Sequence, residues 1–226
     1  MMLINDLLFN QELDGGSFTG LKRTFNNYTE GDYQWDAGGR LYDIDSEGYQ
    51  KLSGDERAEM TINGEPVVEI DIEACFFTIL SGLVDTPIPE GDPYVIKGFP
   101  RKIIKDWMTI SLTKGEMLDR WPPGTPQKLC EKLSLSKIPS APSVKKAILE
   151  QYRWLEWASK KAGGWARLQH IESSIMKLTV MELVHRDIPA YPVHDSVIVP
   201  ASKASIARQT LAYWFEAKTG IVGRVN

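Results

Sequence analysis

Cysteine is scarce in this chain: its 226 residues hold two, Cys75 and Cys130. They supply neither a disulfide framework nor a zinc-ligand spacing, and Cys75, in the apolar run 74–80, reads as a reduced core residue. Long apolar stretches are missing as well. The longest, 74–80 and 197–200, fall far below the roughly 18 residues of a membrane helix, so no membrane association is expected. The segment Met1-Met2-Leu3-Ile4-Asn5-Asp6 has no basic region and no small-residue cleavage site, which argues against a signal peptide. There is no internal repeat and no low-complexity tract. These absences point to a cytoplasmic globular protein, of a size that suits one large domain or two small interleaved ones with a substantial core.

The formal net charge of −4 argues against a general nucleic-acid coat protein. Its distribution is uneven. Residues 97–170 hold fifteen Lys and Arg against six Asp and Glu, whereas the remainder holds eleven against twenty-four. A basic central segment in an acidic chain suits a phosphate-facing surface with acids collected elsewhere for metal. A solvated helical face would give the same count.

Along the chain, residues 1–34 are polar and mixed, with Gly15-Gly16 and Asn26-Asn27 as turn signals. Residues 35–42 read as a glycine turn leading into an aromatic pair. Two strand-like runs around Asn63-Gly64 read as a hairpin ending at Asp71, followed by a buried helix. Pro100 opens a helix over 101–112. Loops are expected at 121–126 and 138–143, then a helix capped by Ser143 and running over 144–161. Gly163-Gly164 breaks it before another helix over 165–185. Val193 and Val197 flank a tight His194-Asp195-Ser196 turn between strands, and a last helix covers about 204–218.

Two groups of residues carry chemistry. Asp71 ends an apolar strand and Asp195 sits on a hairpin tip, so two rigidly held carboxylates can bind two divalent ions. Such a pair serves in-line displacement at phosphorus, and Mg²⁺ needs few protein acids because substrate phosphates complete its shell. Both acids would also serve as plain turn or capping residues. Arg101 and Lys105 lie at i, i+4 on one helix face near its N-terminus, where helix dipole and cations together favour a triphosphate. A solvated basic face is the alternative there.

In their order, Asp36-x-x-Gly39-Arg40-x-Tyr42, Asp71, Arg101-x-x-x-Lys105 with Met108-Thr109 and Gly115, and His194-Asp195-Ser196 resemble the single-subunit RNA polymerases of phages and mitochondria. Those share their palm and fingers with family A DNA polymerases. Gln169-x-x-Glu172-Ser173-Ser174-Ile175-Met176 is similar to a further segment of that family. The resemblance spans roughly residues 35–200. It implies an α+β fold, a small antiparallel palm sheet with a mainly helical fingers subdomain. The chain would divide into an N-terminal segment at 1–60, palm at 61–98, fingers at 99–187, and palm with a closing helix at 188–226.

The resemblance also implies roles. Asp71 and Asp195 would bind two Mg²⁺ or Mn²⁺ ions, with the Ile72 carbonyl as a further ligand. Arg101, Lys105 and Thr109 would hold the nucleoside triphosphate, and Lys105 would protonate pyrophosphate. Gly39 and Arg40 would contact the template backbone, His194 the primer terminus, and Gln169 the minor groove. The implied activity is template-directed nucleotidyl transfer by a minimal DNA-dependent RNA polymerase or primase-like enzyme, from a phage, a plasmid or a bacterial host. An accessory protein would supply the thumb or grip on the template.

The chain also departs from that family. Thr113 stands where its motif B has Tyr, and Gly115 lies one position late. Phe76, five residues after Asp71, matches the aromatic sugar gate of reverse transcriptases, or is plain core. Deoxynucleotide use, and a catalytically inactive nucleic-acid-binding relative, therefore stay open. A His-Asp phosphohydrolase fits poorly, since only His170 and His185 remain as further ligands and its His-Asp belongs on a helix.

Overall fold

The computed structural model describes residues 1–26, 35–45, 47–161 and 164–226; Asn27 and Gly163, expected in a turn and a helix break, lie outside them. The strands are β1 (Leu13–Asp14), β2 (Leu21–Phe25), β3 (Gly38–Asp43), β4 (Thr61–Ile62), β5 (Glu65–Asp71), β6 (Tyr191–Val193) and β7 (Ser196–Pro200). The α-helices are α1 (Met2–Phe9), α2 (Gly54–Ala58), α3 (Cys75–Leu83), α4 (Arg101–Lys114), α5 (Thr125–Leu133), α6 (Ala141–Gln151), α7 (Leu155–Lys161), α8 (Trp165–His185) and α9 (Ala204–Thr219). The fold is α+β, as expected.

The chain forms two compact units, one of residues 1–75 with 169–226, the other of residues 76–168. The divisions fall inside the expected 61–98 and 99–187 segments: residues 76–98 go with the helical part and 169–187 with the sheet. The charge contrast persists on these boundaries, though it narrows because Asp85, Glu90 and Asp92 join the basic part. The second unit holds fifteen Lys and Arg against nine Asp and Glu, and the first holds eleven against twenty-one.

The first unit is built on an antiparallel five-stranded sheet in the order β1-β4-β5-β7-β6, beside the two-stranded β2-β3 pair. The β4–β5 hairpin forms at Asn63-Gly64, both at positive φ (54° and 76°), which Asn and Gly tolerate best. All five residues of β7 are buried, and α9 packs on β5 and β7. Ile70, Val197, Ile198, Val199, Leu211 and Phe215 are the centre of that core. A second cluster joins Phe18, Tyr49 and Tyr191 by tilted and edge-on ring contacts.

The second unit is helical, with α4 packed on α6. Trp107, Ile103, Ile104 and Met108 of α4 are fully buried, as are Val144 and Ile148 of α6. Gly115 ends α4 in the left-handed conformation (φ 71°), so its place in the sequence answers to a helix C-cap.

Several local expectations are corrected. The segment 35–42 is not a simple turn, because β3 begins at Gly38. Helix α5 starts inside the expected loop, with Pro126 in its first turn. The cap of α6 is Ser140, whose Oγ accepts from the Ser143 N–H. The expected 144–161 helix is two, separated at Tyr152, whose hydroxyl donates to Pro93 O and whose ring meets Phe77 edge-on.

Candidate active site

Strands β5 and β7 pair in the register Val67↔Pro200 to Asp71↔Ser196. Asp71 therefore stands opposite the residue next to Asp195, and both acids lie at the same end of adjacent strands. His194-Asp195 is the two-residue connection of the β6–β7 hairpin, with Val193 paired to Ser196 and His194 at φ 54°. The hairpin is anchored from behind. Pro192 has no N–H to give to the ladder, but its carbonyl accepts from Tyr49 Oη (2.7 Å) and Gln50 Nε2 (2.6 Å).

The register is also fixed by side chains. A capping box of Ser53 and Glu56 starts α2 and presents Arg57, which grips Glu69 through Nε (2.8 Å) and Nη2 (3.0 Å). Glu69 then accepts from Ser196 Oγ at 2.5 Å, one residue from Asp195. At Asp71, the Asn226 side chain donates to Oδ1 (2.7 Å) and the Asn226 N–H to the main-chain oxygen (3.1 Å). Ile72 bridges Val225, but the bonds of that bridge are made by the residues on either side. The Ile72 carbonyl takes no part in them.

The group nearest these acids in character is one that sequence reasoning quoted without a role. Glu172 on α8 is 1% exposed and accepts from Arg40 Nε (2.6 Å) and Nη2 (2.8 Å). Burial pushes its carboxyl up to about 7; the Arg40 bonds oppose this and the charge of Asp195 adds to it. Burial alone would lower Arg40, but the Glu172 bonds outweigh it and the guanidinium stays charged. Burial likewise raises the Cys75 thiol, with Glu172, Asp195 and Asp71 all adding. Cys75 is thus a core thiol within electrostatic reach of both acids. Partial desolvation, with help from Arg40 and Arg57, lowers the His194 imidazole below its ordinary range; its ring meets Tyr42 edge-on at 6.1 Å.

The residues expected on a template are held by protein. Gly39 has φ 88°, and a Cβ there would sit 2.6 Å from Arg23 Nη2 and 3.1 Å from Ser173 Oγ, so close packing requires glycine. Ser173 Oγ donates to Gly38 O at 2.9 Å. Gln169 is 8% exposed and its amide oxygen accepts from Asn26, so as folded it offers little surface to a groove.

In the second unit, Arg101 and Lys105 are exposed on one face of α4, and both lie over the Tyr94 ring, 5.4 and 5.9 Å from its centroid. Arg101 also pairs with Asp92. Thr109 is on a neighbouring face, lining a cleft of about 370 Å³ with Lys102, Lys128 and Lys132. Phe76 is half-buried, whereas Phe77 is core and packs on Tyr152 and Trp154.

Among the described residues no three His, Cys, Asp or Glu side chains converge as a closed metal cage would need. Asp71 and Asp195 offer a partial shell of hard oxygens, the kind that Mg²⁺ completes with water and phosphate oxygens. No protein-family model and no curated protein matches the chain.

Proposed function

We propose that the protein is a template-directed nucleotidyltransferase, a minimal DNA-dependent RNA polymerase or primase-like enzyme. The observation that carries this reading is the pairing of Asp71 with Ser196, which sets Asp71 and Asp195 side by side on rigid strand ends. Asp71, Asp195 and the Ile72 carbonyl would hold two Mg²⁺ ions. When bound, the ions lower the pKa of an attacking 3′-hydroxyl and neutralise charge on the leaving pyrophosphate. The chain's own residues supply the rest. The Arg57-Glu69-Ser196 network and the Tyr49 and Gln50 bonds keep the acid-bearing strand ends in register. Arg101 and Lys105 bind the triphosphate, and Lys105 gives its proton to the departing pyrophosphate. Arg40, neutralised in part by Glu172, keeps positive charge beside Asp195 and moderates repulsion between the acids before metal enters.

A second reading, a small DNA polymerase using deoxynucleotides, is favoured by one observation. Phe76 is half-buried where Phe77 is core, so its ring is not fully absorbed by packing. The test of both is incorporation by purified protein with Mg²⁺ or Mn²⁺, on primed and unprimed DNA and RNA templates, with each nucleotide set given separately. Incorporation that disappears in Asp195→Asn, with an unchanged thermal melt, supports the two-metal reading. Equal synthesis by that variant would overturn it.

A further inference from the structure

The side chain of Trp157 on α7 is 55% exposed, although α7 already buries Leu155 and Ala158 fully. The ring is therefore surplus to the packing of its own helix. One turn on, Lys161 places Nζ 5.0 Å from the Trp157 ring centroid, a cation–π contact. Lys160 is exposed and lies 3.7 Å from Glu156, a surface pair of little strength. Arg153 is exposed in the turn that leads into the helix. The unit that carries these groups has six more cations than anions.

We propose that this face of α7 binds single-stranded nucleic acid, a base stacking on the Trp157 ring while Lys160, Lys161 and Arg153 meet the phosphates. An aromatic platform set among cations is the means by which proteins hold single strands without regard to sequence, because every base has a π-face. Duplex would not serve, since its bases are already stacked. A membrane surface is the other target of Trp with lysines, but it needs a broad apolar face. Trp157 is the one large exposed apolar side chain on the seven residues of α7. This extends the reading of the protein as a template-using enzyme, yet it rests on the second unit alone and requires neither metal nor nucleotide.

The test is fluorescence anisotropy of the full chain with a labelled twelve-residue oligo-dT and with an abasic strand of equal length, in EDTA at several salt concentrations. Wild type is expected to prefer oligo-dT by about tenfold. Trp157→Ala should remove that preference and leave the salt slope unchanged, and Trp157→Phe should keep most of it. Lys160→Ala with Lys161→Ala should make the slope of log K against log salt shallower by about 1.4 and keep a preference for bases. An oligo-dT to abasic ratio unchanged in Trp157→Ala overturns the proposal. So does Trp157-dependent binding to phosphatidylserine vesicles with oligonucleotide binding intact. Should Trp157→Ala melt early, the Phe and double-lysine variants decide: an unaltered slope in the latter sinks the phosphate contacts. Loss of incorporation with stacking retained would count against the enzymatic reading alone.

Discussion

Arg40 on β3 and Glu172 on α8 are joined by two hydrogen bonds of 2.6 and 2.8 Å, in a place where the carboxylate is almost wholly out of water. This pair binds a strand and a helix far apart in the chain, and its charges act on Asp195. A buried ion pair is weak evidence of net stabilisation, but breaking one is costly because a charge is left alone.

Glu172→Ala is accordingly expected to destabilise the fold by about 3 kcal/mol. The pH dependence has a definite sign. Glu172 is raised from an ordinary 4.5 to about 7, so its folded form holds a proton that the unfolded form has lost. Its contribution to stability is full below about 4.5 and is lost as pH rises through 7. Urea melts at pH 5 and pH 8 should show wild type losing stability relative to Glu172→Gln as pH rises, by a few kcal/mol at most. The opposite slope would mean that Arg40 dominates the pair.

Gly39→Ala should be among the worst small substitutions in the chain. The new methyl meets Arg23 Nη2 and Ser173 Oγ, and the backbone is left-handed as well. A loss of about 2–3 kcal/mol is expected. Gly64→Ala, with similar φ and open space around it, should cost nearer 1 kcal/mol. Thermal melts of the two side by side check this, and equal losses would remove the packing argument.

Lys105→Ala should raise the apparent KM for nucleoside triphosphate and lower kcat, by about tenfold or more together. Lys102→Ala is the comparison: Lys102 pairs with Asp106 and lines the cleft that Thr109 also lines. Steady-state kinetics that fall equally in both variants would speak for general charge, and unchanged kinetics in Lys105→Ala would remove it from nucleotide binding.

Phe76→Val should relax the choice between ribo- and deoxynucleotides by about tenfold if the ring excludes a 2′-hydroxyl. Competition between the two nucleotide sets on one template measures it. A ratio that does not move returns Phe76 to packing.

The elements with strong local signals were legible in the sequence. Asn63-Gly64 dictated a hairpin, Pro100 marked the start of α4, and α8 and α9 match the helices expected over 165–185 and about 204–218. What misled was Pro126 read as part of a loop: it stands in the first turn of α5, where its missing N–H costs nothing. The break at Tyr152 has no glycine or proline to announce it. It is imposed by bonds and ring contacts to Pro93 and Phe77, which a local pattern does not contain.

The candidate site divides in the same way. Strand ends at Asp71 and Asp195 followed from apolar runs that stop at acids, but their adjacency is a matter of sheet register. Glu172 and Asn226 could not be assigned in advance, because each acquires its role from a partner across the chain. The signal present for Glu172 was its place in the segment 169–176, which named the residue and not its partner.

The second unit is inserted between β5 and β7, the two strands whose pairing brings the acids together. During synthesis Asp71 leaves the ribosome with its strand lacking its neighbour on one side, and the whole helical unit emerges before β7 can dock. Helical contacts are local and close quickly, whereas this strand pair spans the insertion and closes late. The acid pair is therefore assembled late, and a chain ending before residue 196 leaves β5 with an open edge where β7 would pair.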